Sequence, residues 1–122
     1  MKPTGYYTHP ACARHDMGPG HPECPQRLGA IEDRLLISGV LDGLGQRTAT
    51  PAAVAELELA HDRMHIAAIR GLADELRDAI AAGGPERLSV DPDTALNAHT
   101  WEAALAAAGA AIDATEAVVS GE

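Results

Sequence analysis

The chain contains no Phe, and its only Tyr and Trp residues are Tyr6, Tyr7 and Trp101. A core without large rings must be built from aliphatic side chains, and the many Ala residues favour close contacts between helices. The length of 122 residues is enough for one domain with a small hydrophobic core.

Basic residues are scarce, since nine Lys and Arg stand against eighteen Asp and Glu, for a formal net charge of −9. This balance argues against nucleic acid and against an anionic membrane surface as partners, because both are bound mainly through cationic side chains. No hydrophobic run is long enough to span a bilayer, and the stretch MKPTGYYTHPAC lacks the apolar core of a signal peptide. We therefore expect a cytoplasmic protein whose two cysteines are thiols.

Hydrophobic spacing predicts one strand and four helices. The strand covers residues 4–9, and a loop with four Pro and two Gly follows over residues 10–25. The predicted helices run from Pro25 to Gly39, from Thr50-Pro51 over a short stretch, from about Asp62 to Gly83, and from Thr100 to Val119. Residues 85–99 are predicted to be an irregular loop. One or two strands with four helices indicate an incomplete α/β unit.

Two short repeats, His9-x-x-Cys12 and His21-x-x-Cys24, contain residue types that zinc binds in a tetrahedral site. A zinc-stabilised knuckle is therefore one hypothesis for this segment. The prolines inside and beside both pairs argue against it, and the wider spacing rules of zinc fingers are not met.

A third pattern, His61-Asp62-Arg63-Met64-His65, places two His four residues apart on one helix face. Zinc metalloproteases have Glu after the first His, and the shorter Asp disfavours the same general-base geometry. His61 is instead predicted to cap or to pack at a helix start. Cys12 and Cys24 are the only plausible thiol nucleophiles, and no phosphate-binding Gly loop is present.

Two further places carry charge in unusual positions. Asp91-Pro92-Asp93-Thr94 pairs two carboxylates on a loop, where they can either bind N–H groups of a ligand or cap the turn. Arg27 lies in the first turn of a helix, where the helix dipole disfavours a cation, so other contacts are expected to hold it.

The order of these motifs resembles a known family. The motifs are His15-Asp16, Gly18-Pro19-Gly20-His21-Pro22-Glu23, Pro25-x-Arg27-Leu28, His61-Asp62, Asp91-x-Asp93-Thr94 and Trp101-Glu102-Ala103-Ala104. Together they resemble the N-terminal third of the histone deacetylase superfamily, especially its bacterial class II-like deacetylases and acetylpolyamine amidohydrolases. The HPExPxR and DxDT segments are the most specific parts.

The resemblance implies an α/β fold: the N-terminal part of the arginase/deacetylase-like three-layer fold, mostly helical here, with residues 1–122 forming an incomplete domain. It also implies hydrolysis of acetyl-amide bonds by zinc-bound water in the full-length protein, with acetyl-lysine or acetylpolyamine substrates. The family's zinc ligands, catalytic His pair and catalytic Tyr have no match in this sequence. No catalytic or metal-binding residue is therefore expected here, and the isolated chain is expected to be inactive and free of zinc.

Individual roles follow from the resemblance only where motifs match. Arg27 corresponds to an Arg in the channel through which acetate leaves, and Asp93, with Asp91 as the weaker candidate, to the Asp that binds substrate at the active-site rim. His21 and Glu23 are expected to shape the loop. The chain alone is expected to self-associate. The alternatives are a small helical interaction module and the zinc knuckle of His9, Cys12, His21 and Cys24.

Overall fold

The computed structural model describes residues 2–122. Its first unit contains two parallel strands, β1 (Thr4–Thr8) and β2 (Leu44–Thr48), with all five residues of each strand paired. The helix α1 (Gln26–Ile37) lies between them in the chain. Parallel neighbours need such a crossover, so the unit is a β-α-β motif of the kind that defines α/β proteins.

A second sheet is an antiparallel hairpin of β3 (Arg87–Asp91) and β4 (Thr94–Asn97). The prediction of an irregular loop over residues 85–99 is therefore wrong. Leu88 lies opposite Leu96, and Leu96 is only 4% exposed, so the hairpin has one apolar side that packs inward. The described residues hold four short strands, where the sequence indicates one or two.

Three helices lie close to their predicted bounds. α1 ends before Gly39, whose φ of +74° is the left-handed conformation that glycine adopts without strain. α3 (Arg63–Ala81) and α4 (Thr100–Ser120) likewise match their predicted limits. The periodic spacing of apolar residues was therefore a sufficient signal for these three helices.

The short helix α2 (Val54–Leu57) begins later than its predicted start at Thr50. The backbone N–H of Thr50 donates to Asp113 Oδ2 at 2.7 Å, and the N–H of Ala52 donates to the carbonyl of Leu105 at 2.9 Å. These bonds hold the segment in a non-helical path along α4, so tertiary contacts override the local helix signal.

The buried side of α4 consists of its smallest residues, Ala103, Ala106 and Gly109. A second strip of small residues on this helix, Ala104, Ala107 and Ala111, is exposed. The reason for the difference is Gly109: a Cβ placed there would lie 1.8 Å from the carbonyl oxygen of Thr50. The chain at Thr50 can therefore pack directly on the helix backbone.

By length and composition alone, α4 is apolar enough to cross a membrane, so the expectation that no hydrophobic run is long enough to do so is wrong. In this structure α4 packs against β1, against α3 and against a 3-10 turn at Pro10–Arg14. Core helices can pass the same compositional test.

The core is small, and most of its members are small side chains. They are Ala11, Ala49, Ala52, Ile66, Ala73, Leu76, Leu96, Ala103 and Ala106. Among residues 2–122, only Leu76 is a large side chain that is completely buried. α1 contributes no buried residue at all, although Ile31, Leu36 and Ile37 lie along it. The described chain thus leaves the apolar side chains of α1 without a cover.

We expect the 122-residue chain to form dimers or larger species in solution, because exposed apolar surface drives association. Ile31→Glu with Leu36→Glu should reduce this tendency, and Arg34→Glu, a charge change on the same helix, should leave it unchanged. Sedimentation velocity over a range of concentrations measures the effect. A wild-type chain that stays monomeric and unfolds in one sharp thermal transition would contradict the expectation.

Candidate functional site

The segment of residues 15–25, which precedes α1, folds against the β3-β4 hairpin. Asp16 anchors its start: Oδ1 accepts the N–H of Gly18 at 2.8 Å, and Oδ2 lies 3.3 Å from a guanidinium nitrogen of Arg87 on β3. Gly18 has a φ of +115°, a conformation that a residue with a side chain rarely adopts. The loop path thus depends on the glycine and on one ion pair to the hairpin.

A hydrogen-bond network joins the same loop to the start of α4. His15 Nδ1 lies 2.9 Å from Thr100 Oγ1, and this oxygen also accepts the N–H of Asn97 at 2.8 Å. The Asn97 side-chain amide donates to the carbonyl of Arg14 at 2.8 Å. The end of β4, the first residue of α4 and the loop are therefore fixed relative to one another.

The two motifs that are most specific in the sequence meet in space at His21 and Asp93. His21 Nε2 lies 3.0 Å from the carbonyl oxygen of Asp93 and 3.4 Å from its Oδ1. Asp91 Oδ1 accepts the N–H of Asp93 at 2.8 Å, so Asp91 caps the hairpin turn. The side chain of Asp93 is 95% exposed and presents its carboxylate outward. Asp93 is thus the carboxylate that a ligand can reach.

Arg27 is held by Glu23, as its unfavourable position at the helix start led us to expect. The guanidinium Nη1 donates to Glu23 Oε1 at 2.6 Å, and both side chains are about half exposed. The pair spans one helical turn in sequence, so the HPExPxR segment supplies both the cation and the carboxylate that orients it.

A cavity of about 320 Å³ lies between the start of α1 and the exposed alanines of α4. Its polar lining comes from Cys12, His15, Glu23, Cys24, Arg27 and Thr100. The cavity therefore combines an apolar wall with the ion pair of Arg27 and Glu23, a pattern typical of small-molecule sites that orient a ligand through a few polar groups.

The predicted knuckle ligands do not form a metal site. No group of three or more His, Cys, Asp or Glu side chains within residues 2–122 is arranged to hold a metal ion. His9 Nδ1 accepts the N–H of Ala11 at 3.1 Å, while His21 is engaged by Asp93. The residues described here consequently do not fit zinc, and the knuckle alternative has no geometric support.

The His61 and His65 rings lie on the exposed start of α3, with centroids 5.4 Å apart. Asp62 Oδ1 accepts the N–H of Met64 at 2.7 Å and caps this helix. His61 was predicted to cap or to pack at the helix start: its ring packs beside that of His65, and the cap is Asp62, whose short carboxylate reaches the free N–H groups. Engaged in this way, Asp62 is poorly placed to act as a general base.

Both cysteines are free thiols, as expected. Burial raises the pKa of the Cys12 thiol above its ordinary value, and Sγ lies 3.8 Å from the carbonyl of Ala103. Because the thiolate is the nucleophile, a raised pKa makes Cys12 a poor one at neutral pH.

Two carboxylates in the loop and hairpin have lowered pKa values. The N–H of Asp93 is the main cause at Asp91, followed by a hydrogen bond with the Thr94 side chain. The N–H of Gly18 is the main cause at Asp16, whose pKa the nearby Arg87 lowers as well. Both carboxylates therefore favour the folded loop and hairpin most when they are ionised.

Acidification should destabilise the folded loop and hairpin. A pKa lower in the folded state than in the unfolded state stabilises the fold above the unfolded value, about 3.9 for Asp, and the gain is lost below it. We expect the free energy of unfolding to fall as the pH drops below about 4, and Asp16→Asn to weaken this dependence. Urea titrations at low protein concentration, with Asp33→Asn on α1 as control, measure it. An unchanged pH slope in Asp16→Asn would contradict the assignment.

Several residues that join the loop of residues 15–25 to the hairpin and to α4 were not found by sequence reasoning. Arg87 carries no pattern that distinguishes it from other surface cations. Asn97 fell in the predicted loop and Thr100 at the predicted start of a helix. Their side chains are of the types that form hydrogen bonds with nearby backbone groups. His15 was noticed as part of a motif without a role.

The overall arrangement is that of a deacetylase-fold α/β protein. The crystal structure of the HDA15 HD domain aligns with a TM-score of 0.83 over 98% of this chain and 32% of that one, at 24% identity. The family model of the histone deacetylase domain matches residues 21–122, so the chain belongs to the histone deacetylase family. The α/β fold class predicted above is confirmed.

Two curated relatives agree with this membership. A histone deacetylase-like amidohydrolase of Pseudomonas aeruginosa is 30% identical over 120 residues, which cover 98% of this chain and 28% of the relative. Histone deacetylase 5 of Arabidopsis thaliana is 29% identical over 111 residues, which cover 89% of this chain and 16% of the relative. The chain thus spans less than a third of the length of either protein.

Proposed function

We propose that this chain forms one wall of the active site of a zinc-dependent amidohydrolase that removes acetyl groups from acetyl-lysine or acetylpolyamine substrates in the cytoplasm. The observation that carries the proposal is the contact of His21 with Asp93, at 3.0 Å, because it joins the two motifs on which the family resemblance depends. Hydrolysis of the acetyl-amide bond consumes one water molecule and releases acetate and a free amine.

Arg27 is the residue we assign to the acetate product. Its guanidinium borders the cavity of about 320 Å³, and a guanidinium binds a carboxylate through two parallel, charge-assisted hydrogen bonds. Glu23 already occupies one edge of the guanidinium at 2.6 Å. Acetate would therefore use the remaining N–H groups, and Glu23 would keep the side chain aimed at the cavity.

Asp93 is the residue we assign to substrate binding at the rim. Its carboxylate is exposed at the tip of a two-residue turn, while the backbone beneath it is fixed by Asp91 and by His21. A carboxylate in this position can accept N–H bonds from a peptide backbone or from an amine chain. Asp91 is the weaker candidate, because its Oδ1 already accepts the N–H of Asp93 within the turn.

Zinc would supply the Lewis acid that polarises the acetyl carbonyl and activates water. The described residues of this chain do not fit the metal, so we assign its ligands to sequence outside these 122 residues. The chain's own contribution is limited to binding: acetate at Arg27 and substrate N–H groups at Asp93.

A paired measurement tests the proposal. The full-length protein that contains this segment should hydrolyse an acetyl-lysine or acetylpolyamine reporter and lose activity with a zinc chelator. The isolated 122-residue chain should do neither and should hold no stoichiometric zinc after gel filtration. An inactive full-length protein would favour the small interaction module, and one equivalent of zinc on the isolated chain would favour the knuckle.

A further inference from the structure

The imidazole of His21 lies between two backbone groups with different hydrogen-bonding needs. The N–H of Glu23 points at Nδ1 at 3.0 Å, and the carbonyl of Asp93 lies 3.0 Å from Nε2. The contact with Asp93 connects residues 72 positions apart in the sequence. His21 is 21% exposed in its side chain, so the ring is mostly enclosed by the two segments that it joins.

These partners select one tautomer of the neutral ring. A backbone N–H can only donate, so Nδ1 must accept and carries no hydrogen. The hydrogen of the neutral ring is then on Nε2, which donates to the Asp93 carbonyl. Both ring nitrogens are satisfied in this single neutral tautomer, and the Asp93 carboxylate, 3.4 Å from Nε2, adds a weaker attraction to the same N–H.

We infer that His21 is a positioning residue: it fastens the tip of the β3-β4 hairpin to the HPExPxR segment and thereby holds the Asp93 carboxylate where substrate is bound. This inference rests on the function proposed above. His21 touches neither substrate nor metal in this account. It acts on the backbone of Asp93, while the carboxylate of that residue stays free for a ligand.

The rest of the hairpin turn explains why such a contact is needed. Asp91 fixes the local shape of the turn through the N–H of Asp93, but this bond lies within the turn and does not fix its position relative to the loop. Arg87 ties the loop to the far end of β3, away from the tip. His21 connects the tip residue Asp93 itself to the segment preceding Arg27, while a longer contact from the N–H of Ala95 to Met17 Sδ, at 3.5 Å, joins the loop to β4 beside the tip. His21 thus helps to set the spacing between the two assigned binding residues.

Two substitutions separate the two hydrogen bonds of the ring. His21→Gln keeps a donor near the position of Nε2 and loses the acceptor for Glu23. His21→Asn keeps an acceptor near the position of Nδ1 and is too short to reach Asp93. In the full-length protein, His21→Asn and His21→Ala should raise KM by roughly three- to tenfold, the factor for one lost hydrogen bond, with kcat nearly unchanged. His21→Gln should recover most of the loss.

A double-mutant cycle with Asp93→Ala tests whether the two residues act together. If His21 works through Asp93, the double variant His21→Asn with Asp93→Ala should have about the same KM as Asp93→Ala alone. Additive effects on KM, or equal effects of His21→Asn and His21→Gln, would overturn the inference.

Hydrogen exchange on the same full-length proteins gives a readout that does not depend on activity. Peptides that cover residues 91–95 should exchange faster in His21→Asn than in wild type or His21→Gln. If the protein deacetylates no reporter but shows this exchange pattern, the proposed function fails and the positioning contact stands. If it is active and the exchange is the same in all variants, the positioning role is overturned.

Discussion

Gly109→Ala is expected to prevent the chain from adopting this fold. A Cβ at position 109 would lie 1.8 Å from the carbonyl oxygen of Thr50 and 2.9 Å from the backbone nitrogen of Ala52. Both neighbours are backbone atoms, so the clash cannot be relieved by rotating a side chain. The backbone would have to move, and the hydrogen bond from the Ala52 N–H to the Leu105 carbonyl would be broken. We expect a loss of roughly 3 kcal/mol or more, a large part of the stability of a small domain.

Gly29→Ala is the matched control, because Gly29 lies in α1 with no heavy atom within 4 Å of the added Cβ. Ala is the better helix former by about 0.5–1 kcal/mol, so this variant should be slightly more stable than wild type. Thermal unfolding followed by circular dichroism compares the two. A Gly109→Ala chain that unfolds at the wild-type temperature would show that α4 and the segment at Thr50 are not packed as described.

The second large effect is expected from Arg27→Ala in the full-length protein. Because Arg27 is assigned to drawing acetate away from the site of cleavage, losing its charge-assisted hydrogen bond, about 1.5–3 kcal/mol, slows that transfer and lowers kcat by roughly ten- to a hundredfold. The turnover number is affected more than KM because Arg27 is assigned to the released acetate rather than to the incoming substrate. Steady-state kinetics with a single reporter measures both constants.

Arg34→Ala is the control for charge and helix content, since Arg34 is an exposed Arg in the last turn of the same helix. It should leave both constants close to wild type. If Arg27→Ala instead raised KM with kcat unchanged, Arg27 would bind the substrate and the transition state equally, and the product assignment would be wrong.

The helices were predictable from sequence because their signals are local. Ile66 and Leu76 recur at helical spacing in α3, and Gly39 and Asp62 stand where a helix end and a helix cap require their residue types. The start of the short helix near Thr50 was predicted wrongly for the opposite reason. Its start is decided by hydrogen bonds to α4, which no local pattern reveals.

Most strands were not predictable. β2 has the sequence LGQRT, with a single apolar side chain, and it forms because its backbone pairs with β1 after the α1 crossover. In the hairpin, the Asp and Pro residues of the turn masked the pairing of Leu88 with Leu96. Strand pairing depends on distant partners, so short strands with weak alternation give little signal.

The candidate site was predictable in its motifs and not in its connections. Arg27 and Asp93 were named from a family resemblance, and the structure adds what surrounds them: Glu23 on the guanidinium and His21 on the hairpin tip. The assigned roles of both residues remain predictions. The contact between the two motifs needed the structure, because His21 and Asp93 are 72 positions apart and belong to separate elements.

We propose that Arg27 and Asp93 lie on the wall of one active site, where Arg27 binds acetate and Asp93 binds substrate. The most direct test is a crystal structure of the full-length, zinc-loaded protein grown with acetate. We expect acetate bound to the Arg27 guanidinium in the cavity behind the metal, and the Asp93 carboxylate at the opening on the other side. An Arg27 that faces bulk solvent, with no connection from its cavity to the metal, would show that Arg27 does not bind the acetate product.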